Sequence, residues 1–378
     1  MRNLTASLGR VLSVLALAGL AGCQTMGQGA MTAPEPALPK PLATHEFTLN
    51  LAQDDVVGQP QVVSAREEDT LSDIARRFNL GYEEIVSANP GVDPWLPKAG
   101  TEIVLPTQFV LPDAPRRGIV VNLAAMRLFY YPKPKPGEQQ RVITHPLGIG
   151  RVEWKTPEGT TKVVAKKAAP AWIPTPSIRK EHAANGDPLP KVVPAGPDNP
   201  MGSHVLRLGW PAYAIHGTNK PPSIGLRGSH GCLRLYPEDI VKLFHEVPVG
   251  TPVTVVNQPQ LIGWRGDQLY FQAYPALEDD KRNHNKRLDQ RITAARKTAK
   301  GKQGNRAQTV VNKALLSEAV TNPRALALPI SSVDLTLPDY VAQFRRVENR
   351  VPLNATWDGD MSQQLTAADV QTAAEETP

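Results

Sequence analysis

The sequence predicts a mainly β protein preceded by a small α+β module, and three observations carry that reading. Proline accounts for 37 of the 378 residues, about one in ten against a usual ~5%. Proline breaks helix interiors and central strands, so this load argues against a helix bundle or a doubly wound α/β fold. The stretch from Gly118 to Val256 is a series of short apolar runs bounded by turn residues, which is the spacing of strands. Within it only Pro237–Phe244 reads as a convincing helix, with proline in its first turn and acids near the positive end of its dipole. Hydrophobic residues at 41% and charged residues at 21% supply a packed core. At roughly 150 residues per domain, the length suggests two to three domains.

The chain opens with Arg2, runs apolar from Val11 to Leu20 and ends that run in Ala21-Gly22-Cys23. A basic start, a short apolar core and small residues before a cut describe a signal peptide over 1–22, too short to span a membrane permanently. The ending resembles the bacterial lipobox, which implies acylation of the Cys23 thiol and an anchor without a spanning helix. Gln24 rather than Asp follows, which in Gram-negative lipoproteins implies delivery to the outer membrane, with the protein in the periplasm. A disulfide between the two cysteines, Cys23 and Cys232, is formally open. With Cys23 lipidated, however, Cys232 is a lone thiol in an oxidising compartment.

Residues 23–60 are rich in Pro, Ala, Thr and Gln and are expected to form a tether. In the next segment, 61–107, Leu71, Ile74, Ala75 and Phe78 fall on one face of a helix that Asp69 or Thr70 would cap. A second helix, Tyr82 to Ala88, stops at Asn89-Pro90-Gly91, and Ile103-Val104-Leu105-Pro106 closes the unit as a strand. Asp69-Thr70-Leu71, Ile74-Ala75, Phe78, Asn89-Pro90 and the closing strand resemble a LysM module, with Glu68 where that family usually has glycine. The resemblance implies weak binding to peptidoglycan glycan strands. It also implies a separate unit, whose deletion leaves turnover of a small soluble substrate nearly unchanged.

From 117 to 257 the pattern is that of strands. Ile119–Leu123 and Met126–Tyr131 read as a hairpin, followed by candidate strands Val142–Leu147, Thr160–Lys166, Val205–Leu208, Ala212–His216 and Val253–Val256. Residues 258–350 form an extension, beginning with Leu261–Trp264 and Gln268–Phe271 on either side of an Arg-Gly-Asp turn. The tail, 351–378, has five acids and no base and reads as disordered.

The net charge of +6 is local in origin. Between Lys281 and Arg306 lie ten Lys or Arg and one acid, Asp289, giving +9; without that stretch and the leader's Arg2 and Arg10, the remainder sums to −5. Acidic wall or membrane polymers, the chain's own acidic tail, or solvent alone are the available partners for this stretch. Nucleic acid is not expected as a partner in an envelope compartment.

The chemistry concentrates in Ile215-His216-Gly217-Thr218-Asn219 and Gly228-Ser229-His230-Gly231-Cys232-Leu233-Arg234. A thiol needs a base or a positive neighbour to act as a nucleophile, and His216 and His230 both stand close to Cys232. Glycines at 228 and 231 let the backbone approach a substrate, and the Gly231 and Cys232 N–H groups are candidates for an oxyanion pocket. Two blander readings are a buried structural cysteine and a zinc site of His216, His230 and Cys232, the latter lacking a completing ligand. His145, His182, His204, His245 and His284 have no such surroundings and are expected in loops or facing solvent.

Together with Val121-Asn122-Leu123 and Pro197-Asp198-Asn199-Pro200-Met201-Gly202, these two motifs resemble the YkuD-type catalytic domain of the L,D-transpeptidases. That resemblance implies a β-sandwich with one or two short helices. It makes Cys232 the nucleophile that attacks a tetrapeptide stem between its third and fourth residues, releasing the terminal D-Ala. His216 becomes the general base, oriented by the Gly217 carbonyl, and His230 a supporting residue. Arg234 pairs with a stem-peptide carboxylate, while Ser229 and Thr218 are local hydrogen-bonders and Gly231 shapes the pocket. No cofactor or metal is implied. The acyl group would pass to an amine, either another stem peptide, giving a 3-3 cross-link, or a lipoprotein lysine. Two alternatives stay open: an L,D-carboxypeptidase that uses water, and a non-catalytic wall-binding lipoprotein.

Overall fold

The computed structural model describes residues 38–49, 54–297 and 306–350. The leader with Cys23, the start of the tether and the tail 351–378 lie outside the described residues, as do 50–53 and 298–305.

The first part of the chain contains β1 (Glu46–Leu49), β2 (Val56–Gly58), β3 (Gln61–Ser64), α1 (Leu71–Arg77), α2 (Tyr82–Ala88), β4 (Glu102–Leu105) and β5 (Gln108–Val110). Helix α1 starts at Thr70 because two orphan donors are satisfied reciprocally. The Thr70 hydroxyl accepts from the Asp73 N–H at 3.2 Å, and the Asp73 carboxylate accepts from the Thr70 N–H at 2.9 Å. Asp69, the other candidate cap, instead pairs with Arg77 at 2.6 Å. Asn89 ends α2 and ties it to β4, donating to the Ile85 and Val104 carbonyls and accepting from the Val104 N–H.

The central part contains β6 (Gly118–Asn122), β7 (Arg127–Tyr131), β8 (Gln140–Pro146), β9 (Ile149–Gly150), β10 (Gly159–Ala168), α3 (Pro176–Ala184), β11 (His204–Leu208), β12 (Ala214–His216), β13 (Arg227–Ser229), β14 (Leu233–Arg234), α4 (Pro237–Glu246) and β15 (Pro252–Val256). Nine strands form one mixed sheet in the order β1-β8-β7-β6-β15-β10-β11-β12-β14. The long β10 pairs with β15 over Gly159–Lys162 and with β11 over Val163–Ala168, with a register shift at Val163/Ala165. A bulge of this kind bends a strand and lets it leave one ladder for another. β10 therefore delivers β11, β12 and β14, which carry the chemistry, away from the hairpin half of the sheet.

Three expectations are corrected here. Strands β1 and β2 fall inside the supposed tether, and β1 forms the sheet edge, pairing antiparallel with β8. The helix α3 was not expected; it is capped by Thr175 and opens on Pro176, but only Ile178 is buried, so it leaves no apolar periodicity to read. Ala212 stays outside β12, in a left-handed turn at φ +67.

The module is not a separate bead. Along β6 and β7 successive side chains face opposite ways. Ile119, Val121, Leu128 and Tyr130 join a core with Leu206, Ile215, Ile240 and Leu243. Val120, Phe129 and Tyr131 join another with Leu71, Ile74, Ile85, Leu105 and Phe109 of the module. Across that second core Arg127, fully buried, pairs with Glu84 at 2.6 Å and donates to the Asn79 carbonyl at 2.9 Å. Deleting the module would expose this sheet face, which overturns the expectation of a neutral deletion. Glu84→Ala leaves the Arg127 guanidinium buried without its carboxylate. The expected cost is about 3–5 kcal/mol, read as a lower urea midpoint; a loss under about 1 kcal/mol would mean water reaches the site.

The extension contains β16 (Gln260–Arg265), β17 (Gln268–Ala273), α5 (Leu288–Lys297), α6 (Lys313–Thr321), β18 (Ala327–Pro329), α7 (Leu337–Ala342) and β19 (Arg345–Arg346). The expected hairpin forms and gains β18 as a third strand, and β19 adds to β3 of the module. Several charges of the basic stretch serve the fold rather than a solvated face. Arg282 pairs with Asp280 at 2.7 Å and Glu158 at 3.0 Å, Arg291 donates to the Gln260 carbonyl at 2.6 Å, and Arg306 lies over the Trp264 ring. No helix among the described residues is long and apolar enough to cross a membrane.

Candidate active site

Strands β12 and β14 run parallel, with Ile215 level with Leu233 and His216 level with Arg234. Alternation then puts His216 and Arg234 side by side on one face, and Cys232, immediately before β14, interacts electrostatically with Arg234. The Ser-His-Gly-Cys-Leu-Arg and His-Gly-Thr motifs thus meet because their strands are neighbours. Behind His216, the Pro197–Gly202 loop packs directly on the backbone. Gly202 is left-handed at φ +65, and a Cβ there would stand 2.8 Å from the Gly217 carbonyl carbon. The buried Asn199 side chain holds the loop, donating to the Pro170 carbonyl at 2.7 Å and accepting from the Met201 N–H at 2.9 Å.

His216 is 4% exposed, and its Nδ1 donates to the Gly217 carbonyl at 2.7 Å. A carbonyl only accepts, so this bond places the proton of the neutral ring on Nδ1 and leaves the lone pair on Nε2. Burial and then the Arg234 charge pull its pKa down to about 4, against the Gly217 and Met201 carbonyls, which favour the charged form. The ring is a neutral base at neutral pH. Cys232 is a free, half-buried thiol whose Sγ donates to the Ala212 carbonyl at 3.5 Å. Burial pushes its pKa up, opposed by the Ala214 N–H and by Arg234 and Arg207. The resting pair is therefore thiol and imidazole rather than thiolate and imidazolium.

The loop before the thiol is tightly specified. Ser229 Oγ donates to the Cys232 carbonyl at 2.6 Å and accepts from the Gly231 N–H at 3.1 Å. That second bond corrects the expected oxyanion pair, because the Gly231 N–H is already engaged; the Cys232 N–H remains the candidate donor. Gly231 sits at φ +101 against Tyr213, where any side chain would meet the ring. Thr218, also buried, accepts from the Lys220 N–H at 3.0 Å and shapes the turn after His216.

Arg234 has a different character. Its Nε is buried without a partner, and among the described residues its guanidinium meets no carboxylate. His230 is engaged with α3 and the facing loop, with Nε2 3.2 Å from Arg151 Nη2 and 3.5 Å from Glu181, and with Trp154 edge-on. Glu181 also binds Arg151 and accepts from Trp154 Nε1 at 2.9 Å. Arg151, Trp154 and Glu181 carry no local signature in the sequence; only the fold brings them beside His230. Two other histidines correct the expectation of solvent: His145 is fully buried and 3.0 Å from Asp239, and His204 is 1% exposed against Phe244. Among the described residues no three His, Cys, Asp or Glu side chains converge on a metal position. A groove of about 540 Å³ runs beside the site between the three parts of the chain, lined by Gly81, Glu83, Met126, Arg151, Gly228 and Tyr274.

Residues 116–255 match the family model described as the L,D-transpeptidase catalytic domain, and residues 65–106 match the LysM domain model. YcfS, a probable L,D-transpeptidase of Escherichia coli strain K12, is 44% identical over a match covering 59% of this chain and 70% of that protein. The chain belongs to the L,D-transpeptidase family. YbiS, another probable L,D-transpeptidase of that strain, is 51% identical over 54% of this chain and 66% of its own length. ErfK/SrfK of the same strain, likewise a probable L,D-transpeptidase, is 46% identical over 54% of this chain and 65% of its own. The chain therefore spans about two thirds of the length of these relatives. Both segments carrying the His216 and Cys232 motifs lie within the catalytic-domain match.

Proposed function

We propose that this member of the family is a peptidoglycan L,D-transpeptidase. The observation that carries the proposal is the neutral His216 imidazole level with Arg234 on neighbouring strands, with the Cys232 thiol just before β14 and, among the described residues, no carboxylate on the Arg234 guanidinium. In the first half-reaction the Cys232 sulfur attacks the carbonyl between the third and fourth residues of a tetrapeptide stem, and its proton passes to His216 Nε2. Collapse of the tetrahedral intermediate breaks the peptide bond, the imidazolium returns the proton to the leaving amine, and D-Ala departs. An acceptor amine then attacks the thioester while His216 takes its proton, and the restored thiol leaves. Arg234 holds a stem carboxylate, Ser229 and Gly231 fix the loop, and the Cys232 N–H faces the oxyanion. The module binds glycan strands, and an acyl group on Cys23 anchors the protein to the outer membrane on the periplasmic side.

Incubating the purified protein with disaccharide tetrapeptide and identifying the products by mass spectrometry tests this. Release of D-Ala with 3-3 linked dimers is the expected result, and an amine such as a lipoprotein lysine should compete for the same thioester. Tripeptide alone would identify a carboxypeptidase, and unchanged substrate would leave a wall-binding lipoprotein. The mass of the mature N-terminus tests the anchor, since an unmodified Cys23 would remove it.

A further inference from the structure

The 258–350 extension reaches the nucleophile loop through one carboxylate. Asp279, whose side chain is 17% exposed, binds Lys155 Nζ at 2.7 Å through Oδ2 and Arg227 Nη1 at 2.7 Å through Oδ1. Those two cations belong to the two segments that bracket the thiol. Arg227 begins β13, which leads through Ser229 to Cys232, and its Nε donates to the Gly150 carbonyl at 3.3 Å. Lys155 follows Trp154 in the facing loop, and its carbonyl accepts from the Tyr213 hydroxyl at 3.2 Å. Its neighbour Thr156 accepts from the Gly150 N–H at 3.1 Å and donates to the Gly231 carbonyl at 2.8 Å. Arg151 N–H closes the frame on the Ser229 carbonyl at 3.1 Å. Gly150 is so close that a Cβ there would stand 2.9 Å from the Gly231 Cα.

We propose that Asp279 is a positioning residue for the proposed reaction: it staples the Gly150–Thr156 loop to β13 and thereby fixes Gly231 and Cys232. Its pKa is lowered to about 2, first by the Lys155 bond, so the staple is charged at every pH at which the protein would work. The same segment is anchored a second time by Asp280, which accepts from Asn257 Nδ2 at 2.9 Å and from Arg282 at 2.7 Å. Asp279 lies beyond the matched catalytic segment, which ends at 255. The extension therefore completes the active site from outside the domain that carries the motifs.

The reading of Cys232 as the nucleophile underlies this proposal, so the test has one arm that needs no turnover. In full-length Asp279→Asn protein, alkylation of Cys232 by iodoacetamide, followed across pH by peptide mass mapping, should accelerate about threefold or more near pH 8. Loosening the loop uncovers the sulfur, and losing the carboxylate leaves Lys155 and Arg227 to join Arg234 and Arg207 in favouring the thiolate. On disaccharide tetrapeptide, kcat should fall about tenfold or more with KM little changed, because a displaced nucleophile still permits binding. Asp279→Glu should recover part of both. Lys155→Met, at a side chain 61% exposed, breaks the same staple without freeing a cation, so if the Asn variant misfolds it should still show the part of the acceleration that comes from the loosened loop. Alkylation and kcat both within twofold of the parent, with a lowered melting temperature alone, would reduce Asp279 to an ordinary ion pair. If the parent itself turns nothing over, the alkylation arm still decides the staple.

Discussion

Replacing Cys232 with alanine is expected to abolish thioester formation and lower kcat/KM by about 10⁴-fold or more, because no other group in the site supplies a nucleophile. The side chain is half-buried and the bond it donates, to the Ala212 carbonyl at 3.5 Å, is long, so folding should be little affected. Cys232→Ser should fail nearly as completely. A hydroxyl is much harder to deprotonate than a thiol, and a base with a pKa of about 4 is weakly matched to it. Intact-protein mass spectrometry after incubation with disaccharide tetrapeptide reads the covalent thioester directly. An adduct or turnover surviving in the alanine variant would move the nucleophile elsewhere.

The parts of this fold that were legible in the sequence are those whose reasons are local. Leu71, Ile74, Ala75 and Phe78 announce α1 because a helix returns to one face every three to four residues, and the Thr70–Asp73 box marks its start. The β6–β7 and β16–β17 hairpins announce themselves through short apolar runs on either side of a turn. The His216 and Cys232 motifs were legible for the same reason, since glycine, histidine and cysteine at fixed offsets state a chemical need. Helix α3 was not legible, because it buries one side chain and is held instead by Thr175, Pro176 and the distant Arg151.

What remained hidden is long-range pairing. Composition made Glu46–Leu49 look like tether, yet those residues find an open sheet edge at β8 and become a strand there. Arg127 reads as an ordinary hairpin charge until Glu84, 43 residues away, meets it in the shared core. Likewise Asp279 is one acid near a basic run, and its partners lie 124 and 52 residues back along the chain. The Ser229 hydroxyl on the Gly231 N–H is a local contact that was missed for another reason: composition shows which donors exist, and only geometry shows which are taken.

His216→Ala should lower the rate of Cys232 acylation by about 10²–10⁴-fold, well beyond the loss in His230→Ala. His216 lies on the strand beside β14, level with Arg234 and two residues off the register of Cys232, whereas His230 is engaged with Arg151 and Glu181. The pH dependence supplies the sharper test. An imidazole accepts a proton only when neutral, and here burial and Arg234 lower its pKa to about 4, so activity should be flat through neutral pH and fall only as pH drops through about 4. The thiol adds no limb in the neutral range, because burial raises its pKa and it stays protonated until the base removes the proton. Arg234→Gln removes a cation that disfavours the imidazolium, so the acid limb should move to higher pH in that variant. Acylation rates measured from about pH 3.5 to 8 decide the matter: a parent midpoint at the ordinary histidine value of about 6.5, or a His230→Ala loss larger than that of His216→Ala, would transfer the role of base away from His216.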